Sequence, residues 1–210
     1  MKRVLSVFML AVSLLIFTSC KAKNPVEVKE KYIQKAELTK SEDDIVKLVG
    51  DYENQMMYDF NLDDKVQSIQ ISIYELKDNK WDSNIGRLSQ EFKDIKGRLS
   101  LNFNNYFYGY KIAFLSENSS ASTKFSTEKP QEPSTMGQVS SFRDNKTEIT
   151  YEKEIPLVVQ GITSANIMNA HTVDYFYTPE KYKELGYDRV YAVTVLFSEK
   201  QVSELNVIKE

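Results

Sequence analysis

The chain carries one cysteine, Cys20, and one histidine, His171, and that scarcity narrows the chemistry open to it. A Ser-His-Asp triad has only His171 to build on, and no Gly-x-Ser-x-Gly elbow is present to supply its nucleophile. His171 therefore reads as a structural residue. Zinc sites draw on clusters of Cys and His, which the sequence lacks. Neither standard form of phosphate-binding glycine loop occurs, and glycines total 7. Carboxylates are plentiful, 30 in all, so close pairs such as Asp63-Asp64 and Glu152 with Glu154 arise by density alone. Two of them at a set separation would serve glycoside hydrolysis, but spacing in sequence does not fix spacing in space.

Two weaker signals concern binding. Asp78, Asn79, Asp82 and Asn84 cluster around Trp81 and offer oxygen ligands of the kind calcium takes. The calcium-loop pattern fails, because Ser83 stands where its central Gly belongs when counted from Asp78, and Asp and Asn are ordinary turn residues. No metal is expected, with Asp78, Asp82 and Asn84 the weak candidates. The run Tyr106-Phe107-Tyr108-Gly109-Tyr110 is the most distinctive aromatic feature. If its alternate residues face a core, Phe107 projects the other way. An exposed ring of that kind stacks on sugars or anchors a protein partner. Trp81, just after a turn, is read in the same way, so Trp81, Phe107 and Tyr106 are the candidate binding residues.

The first twenty residues have a different logic. Met1-Lys2-Arg3 is a short basic start, and Val4 to Phe17 run almost wholly apolar. As a helix that stretch is about 21 Å long, short of a bilayer core of about 30 Å, which suits an export signal better than a permanent span. It ends in Phe17-Thr18-Ser19-Cys20. This resembles the lipobox of bacterial lipoprotein signal peptides: an aliphatic residue, two small residues and an invariant Cys, with Phe17 standing where Leu is commoner. The resemblance covers the leader alone. It implies a diacylglyceryl group on the Cys20 thiol, cleavage before Cys20, and often a further acyl chain on the freed amine. Each buried CH₂ is worth about 0.8 kcal/mol, so two or three chains hold a protein at a membrane almost permanently.

Behind the anchor, residues 21–40 are highly charged with scattered apolar positions, a composition that reads as a stalk. Ser41 with Asp44 looks like a capping box for a short helix at 42–49, ended by Gly50. Period-two alternation then dominates: Met56, Tyr58, Phe60 and Leu62; Ile69, Ile71 and Ile73; Leu99, Leu101 and Phe103; Tyr106 to Phe114. A two-residue turn at Asn104-Asn105 would set Leu99 opposite Tyr110 and Phe103 opposite Tyr106. Residues 116–140 read as a long loop with one short edge strand near Phe125. Further strands follow at Glu148 to Tyr151, Ile155 to Ile162, Val173 to Tyr177 and Arg189 to Phe197, with a short helix from Thr178-Pro179 to Gly186.

About eight strands joined by short turns predict an all-β fold, an antiparallel β-sandwich of immunoglobulin-like or jelly-roll-like kind with one or two short helices; a β-barrel is the alternative. The expected organisation is a signal peptide at 1–19, the lipidated Cys20 with stalk and short helix at 20–50, and the sandwich at 51–210. The formal charge of −3 becomes −5 once Lys2 and Arg3 leave with the leader, which argues against a nucleic-acid partner. The expected function is that of a lipid-anchored extracytoplasmic lipoprotein at the cell or outer membrane. Its non-enzymatic domain would bind a protein, glycan or envelope component, with no cofactor beyond the lipid on Cys20. A carboxylate-dependent hydrolase of envelope polysaccharide is the alternative.

Overall fold

The structure, a computed structural model, describes residues 30–49, 54–103, 109–126 and 136–205. Eleven strands build two antiparallel sheets among these residues. In chain order they are β1 (Tyr32–Lys35), β2 (Gln55–Asn61), β3 (Ser68–Lys77), β4 (Lys80–Glu91), β5 (Lys96–Phe103) and β6 (Gly109–Ser116). β7 (Ser120–Ser126), β8 (Gly137–Phe142), β9 (Thr147–Glu148), β10 (Ile155–Thr163) and β11 (Arg189–Ser198) complete the set. One sheet has the order β7-β6-β5-β2-β1-β9 and the other β4-β3-β11-β10-β8. Neither closes among the described strands, so the fold is the β-sandwich, not the barrel. No described helix is long and apolar enough to cross a membrane.

The alternation in the sequence is spent on the space between the sheets. Tyr58, Phe60, Leu99, Leu101, Phe103, Ile112 and Phe114 point in from the six-stranded sheet, and Ile69, Ile71, Ile73, Val193, Val195 and Phe197 from the other. Fully burying side chains of this size is worth about 1.5–3 kcal/mol each. Phe92, in the β4–β5 connection, seals one end of the core with its ring centroid 5.6 Å from Phe60 and 5.7 Å from Phe114. The Tyr58 hydroxyl crosses the interface and donates to the Leu157 carbonyl at 2.9 Å. Burial pushes that phenol well above its usual range, so it stays a donor.

Four expectations need correction. First, Tyr32–Lys35 does not belong to a stalk: β1 pairs with both β2 and β9, and Ile33 is fully buried. Only one of its four residues faces the core, too short a stretch for period-two patterning to register. Second, the hairpin register is slid. Leu99 faces Phe114, Leu101 faces Ile112 and Phe103 faces Tyr110, so the turn is longer than two residues. The displacement from the expected pairing is even, which leaves the described side chains of both strands on their expected faces. Third, Val173–Tyr177 is a 3₁₀ helix rather than a strand. Fourth, the first helix, α1 (Lys40–Val49), is capped two residues earlier than Ser41 and Asp44 suggest. Thr39 N–H and Oγ1–H both donate to the Glu42 carboxylate at 2.8 Å, and Glu42 N–H donates back to Thr39 Oγ1, a reciprocal box with the customary glutamate. Gly50 lies outside the described residues. The edge strand near Phe125 is present as β7, while the last four residues of the expected loop at 116–140 belong to β8, at the far edge of the other sheet.

Candidate functional site

The five-stranded sheet is buried on both faces at one end. Every residue of β10, Ile-Pro-Leu-Val-Val-Gln-Gly-Ile-Thr, is buried, the continuous apolar run expected of a strand covered on both sides. After β10 the chain returns across the outer face through residues 164–188, carrying the 3₁₀ helix and α2 (Lys181–Glu184). A second apolar cluster forms beneath: Val159, Val173, Phe176, Tyr182, Val190 and Ala192. Gly161 permits the closest approach, since a Cβ there would lie 2.5 Å from the Tyr187 ring. Gly186, at φ +72°, turns the chain out of α2 into β11.

Trp81 belongs to this cap. Its indole N–H donates to the Phe176 carbonyl at 2.8 Å, and its ring stacks on Phe176 with centroids 4.9 Å apart and planes at 22°. Tyr182 and Tyr74 present their edges to it at 6.0 and 6.3 Å. The expectation of Trp81 as a free platform is thereby corrected: a residue that follows a turn in sequence is covered here by a segment some 95 positions away.

His171 fastens the start of the cap to β10. Val159 O can only accept, so His171 Nε2 carries the proton and donates to it at 3.2 Å. Nδ1 lies 2.8 Å from Tyr187 Oη, whose one proton is donated to the Asn169 carbonyl. Burial holds the imidazole below its ordinary pKa of 6.5. Below that value the unfolded chain takes up a proton that the folded chain resists, so His171 stabilises the fold above its unfolded pKa and that stabilisation is lost as pH falls. We expect the melting temperature to drop between about pH 7 and pH 5, and to drop less steeply in His171→Phe. Equal slopes in the two proteins would contradict the assignment.

Beyond the cap the outer face turns polar. Ser89 Oγ donates to Gln70 Oε1 at 3.2 Å, and Gln70 Nε2 donates to Ser72 Oγ at 3.3 Å. Thr194 stands beside Ser72 on the neighbouring strand, fully buried. Tyr74 Oη donates to Glu154 Oε1 at 2.5 Å, and Tyr177 Oη donates to the Glu154 carbonyl at 2.9 Å. Burial raises the Glu154 carboxyl above its usual range and raises the Tyr74 phenol further from titration. Arg87, paired with Ser72 across β3 and β4, lies close enough to act on the charge of both. Tyr177, 47% exposed, stands at the rim with Lys153 Nζ 5.6 Å from its ring centre. An acid, a guanidinium, a row of hydroxyls and an open ring thus share one face.

The calcium candidates serve other ends. Asp78 and Asn79, at φ 50° and 60°, make the two-residue turn that joins Lys77 to Lys80, a conformation these residue types tolerate. The Asp82 carboxylate is 3.0 Å from Lys77 Nζ, and the side chain of Asn84 lies outside the described set. No group of three or more His, Cys, Asp or Glu side chains placed to hold a metal occurs among the described residues. Cys20, Tyr106 and Phe107 lie outside the described residues. Reading the sequence missed Arg87, Tyr74 and Tyr177, and met Glu154 only as one of a close carboxylate pair with Glu152. Its one available signal was the position of Arg87, Gln70 and Ser72 on the polar phase of alternating strands, which marks a face and not a site.

A two-sheet antiparallel sandwich, capped on one outer face by an aromatic return segment, is the class this architecture defines. The chain belongs to the YgaN domain family, whose family model matches residues 32–197, from the first residue of β1 almost to the end of β11. Neither comparison, with curated proteins or with solved structures, gave a match.

Proposed function

We propose that the chain is a lipoprotein anchored through Cys20 on the extracytoplasmic side of a membrane, and that its β-sandwich is a non-enzymatic binding module for a glycan, protein or other envelope component. The observation that supports binding most strongly is the outer face around Glu154. There Tyr177 is exposed and held by its hydroxyl, and Arg87 stands among the hydroxyls of Ser72, Ser83 and Ser89. A pre-positioned ring costs little ordering entropy on binding. Among the described carboxyl groups with a resolved shift, Glu154 alone is raised, while Glu42, Asp63 and Asp94 are lowered. One raised acid without a facing carboxylate partner is weak ground for the two-acid hydrolase.

The test is equilibrium binding of the purified domain to isolated envelope polysaccharide and envelope protein fractions, with wild type and Tyr177→Ala side by side. Binding by wild type to one fraction is expected, with a loss of at least about tenfold in the variant at unchanged melting temperature. No binding to any fraction, or release of sugar products from the polysaccharide, would refute the proposal.

A further inference from the structure

The ligand chemistry of that face can be narrowed, an inference that rests on the binding-module reading. We propose that the face around Arg87 takes a saccharide bearing a carboxylate, with the guanidinium engaging the acid, Ser83 and Ser89 engaging ring hydroxyls, and Tyr177 stacking on a pyranose face.

Arg87 carries the argument. Arg98 is bonded twice to Asp59 and once to Glu42, and Arg143 is paired with Asp174. Arg87 has no carboxylate at ion-pair distance among the described residues. Its one described hydrogen bond runs from Nη2 to Ser83 Oγ at 3.2 Å, and its Nε is buried with no partner among those residues. A half-buried guanidinium with donors to spare is a conspicuous exception, because buried donors are nearly always satisfied. Planar acids match its fork, and bonds of that kind are the strong, charge-assisted ones.

The neighbours fit a sugar better than a bare anion. Ser83 and Ser89, both half-buried on β4, give hydroxyls that both donate and accept, as sugar hydroxyls require, while the buried Gln70 and Ser72 behind them hold Ser89 in place. Tyr177 supplies the exposed ring, and Lys153 beside it adds a second cation at the rim. Glu154 is tied to both the ring and the guanidinium: Tyr177 donates to its carbonyl, Tyr74 and Thr194 bond its carboxyl, and Arg87 acts on its charge.

Calorimetric titration of the purified domain with trigalacturonate, with a glucuronate-containing tetrasaccharide, and with their carboxyl-reduced neutral counterparts tests this. Wild type is expected to bind at least one acidic oligosaccharide about tenfold or more tightly than its neutral counterpart. Arg87→Gln should erase that preference, and Arg87→Lys should keep part of it. Glu154→Gln should tighten the acidic ligand several-fold by removing a like charge. The wild-type comparison holds even if Arg87→Gln fails to fold. Equal affinity for acidic and neutral partners, or binding of neither, overturns the inference. Binding of the neutral sugars, or of an envelope protein fraction, would still leave the binding-module proposal standing.

Discussion

Replacing Cys20 with alanine is expected to abolish incorporation of a fatty-acid probe that the wild-type protein takes up in growing cells. The effect should be all-or-none, because the chain has one thiol and the lipobox likeness assigns the diacylglyceryl group to it. Two acyl chains bury enough methylene groups, at about 0.8 kcal/mol each, to make spontaneous release from a bilayer negligible. Purified domain from residue 30 onward should fold as the full protein does, since the sandwich is built from residues after that point. Label retained in Cys20→Ala would place the acyl group elsewhere and remove the basis for the anchor.

The second large effect is expected at Trp81. Trp81→Ala deletes the ring stacked on Phe176 at 4.9 Å and the indole bond to the Phe176 carbonyl, and leaves a gap between Tyr74 and Tyr182. Loss of a large buried aromatic costs about 3–5 kcal/mol. Trp81 is partly open, so the lower end of that range applies. The chain holds a single Trp, so the wild-type fluorescence transition reports directly on the cap. Denaturant unfolding of wild type and variant, followed by far-ultraviolet circular dichroism, gives the difference. A change within about 0.5 kcal/mol, the range of ordinary surface substitutions, would mean that the ring is the open platform its sequence position suggests.

Those two residues mark the limits of what the sequence discloses. Leader chemistry is local and one-dimensional: a basic start, an apolar run and the Thr18-Ser19-Cys20 ending are contiguous. The sandwich is legible for a related reason, since Tyr58 and Phe60, or Ile69, Ile71 and Ile73, each register one buried face within a single strand. What fails is whatever depends on a distant partner. Val173, Tyr175 and Tyr177 alternate like a strand, yet an apolar surface already exists on β10 and β11 for a 3₁₀ turn to cover. The hairpin of Leu99 to Phe114 keeps its faces and loses its register, because parity constrains the first and only the turn constrains the second. β1 is invisible because Lys31, Lys35 and Glu37 around it resemble linker, while its stability comes from β2 and β9 on either side. The candidate site is the extreme case. Tyr74, Arg87, Glu154, Tyr177 and Thr194 come from four strands or their flanks and the cap, and no spacing in the chain announces their meeting.

The most direct test of the account is the mass and N-terminal chemistry of the protein extracted from membranes with detergent. The account predicts a mature chain that begins at Cys20 and is heavier than its polypeptide by a diacylglyceryl group, with or without one further acyl chain on the amine. A chain that begins at Met1 or at any other residue, and carries no lipid, would contradict it.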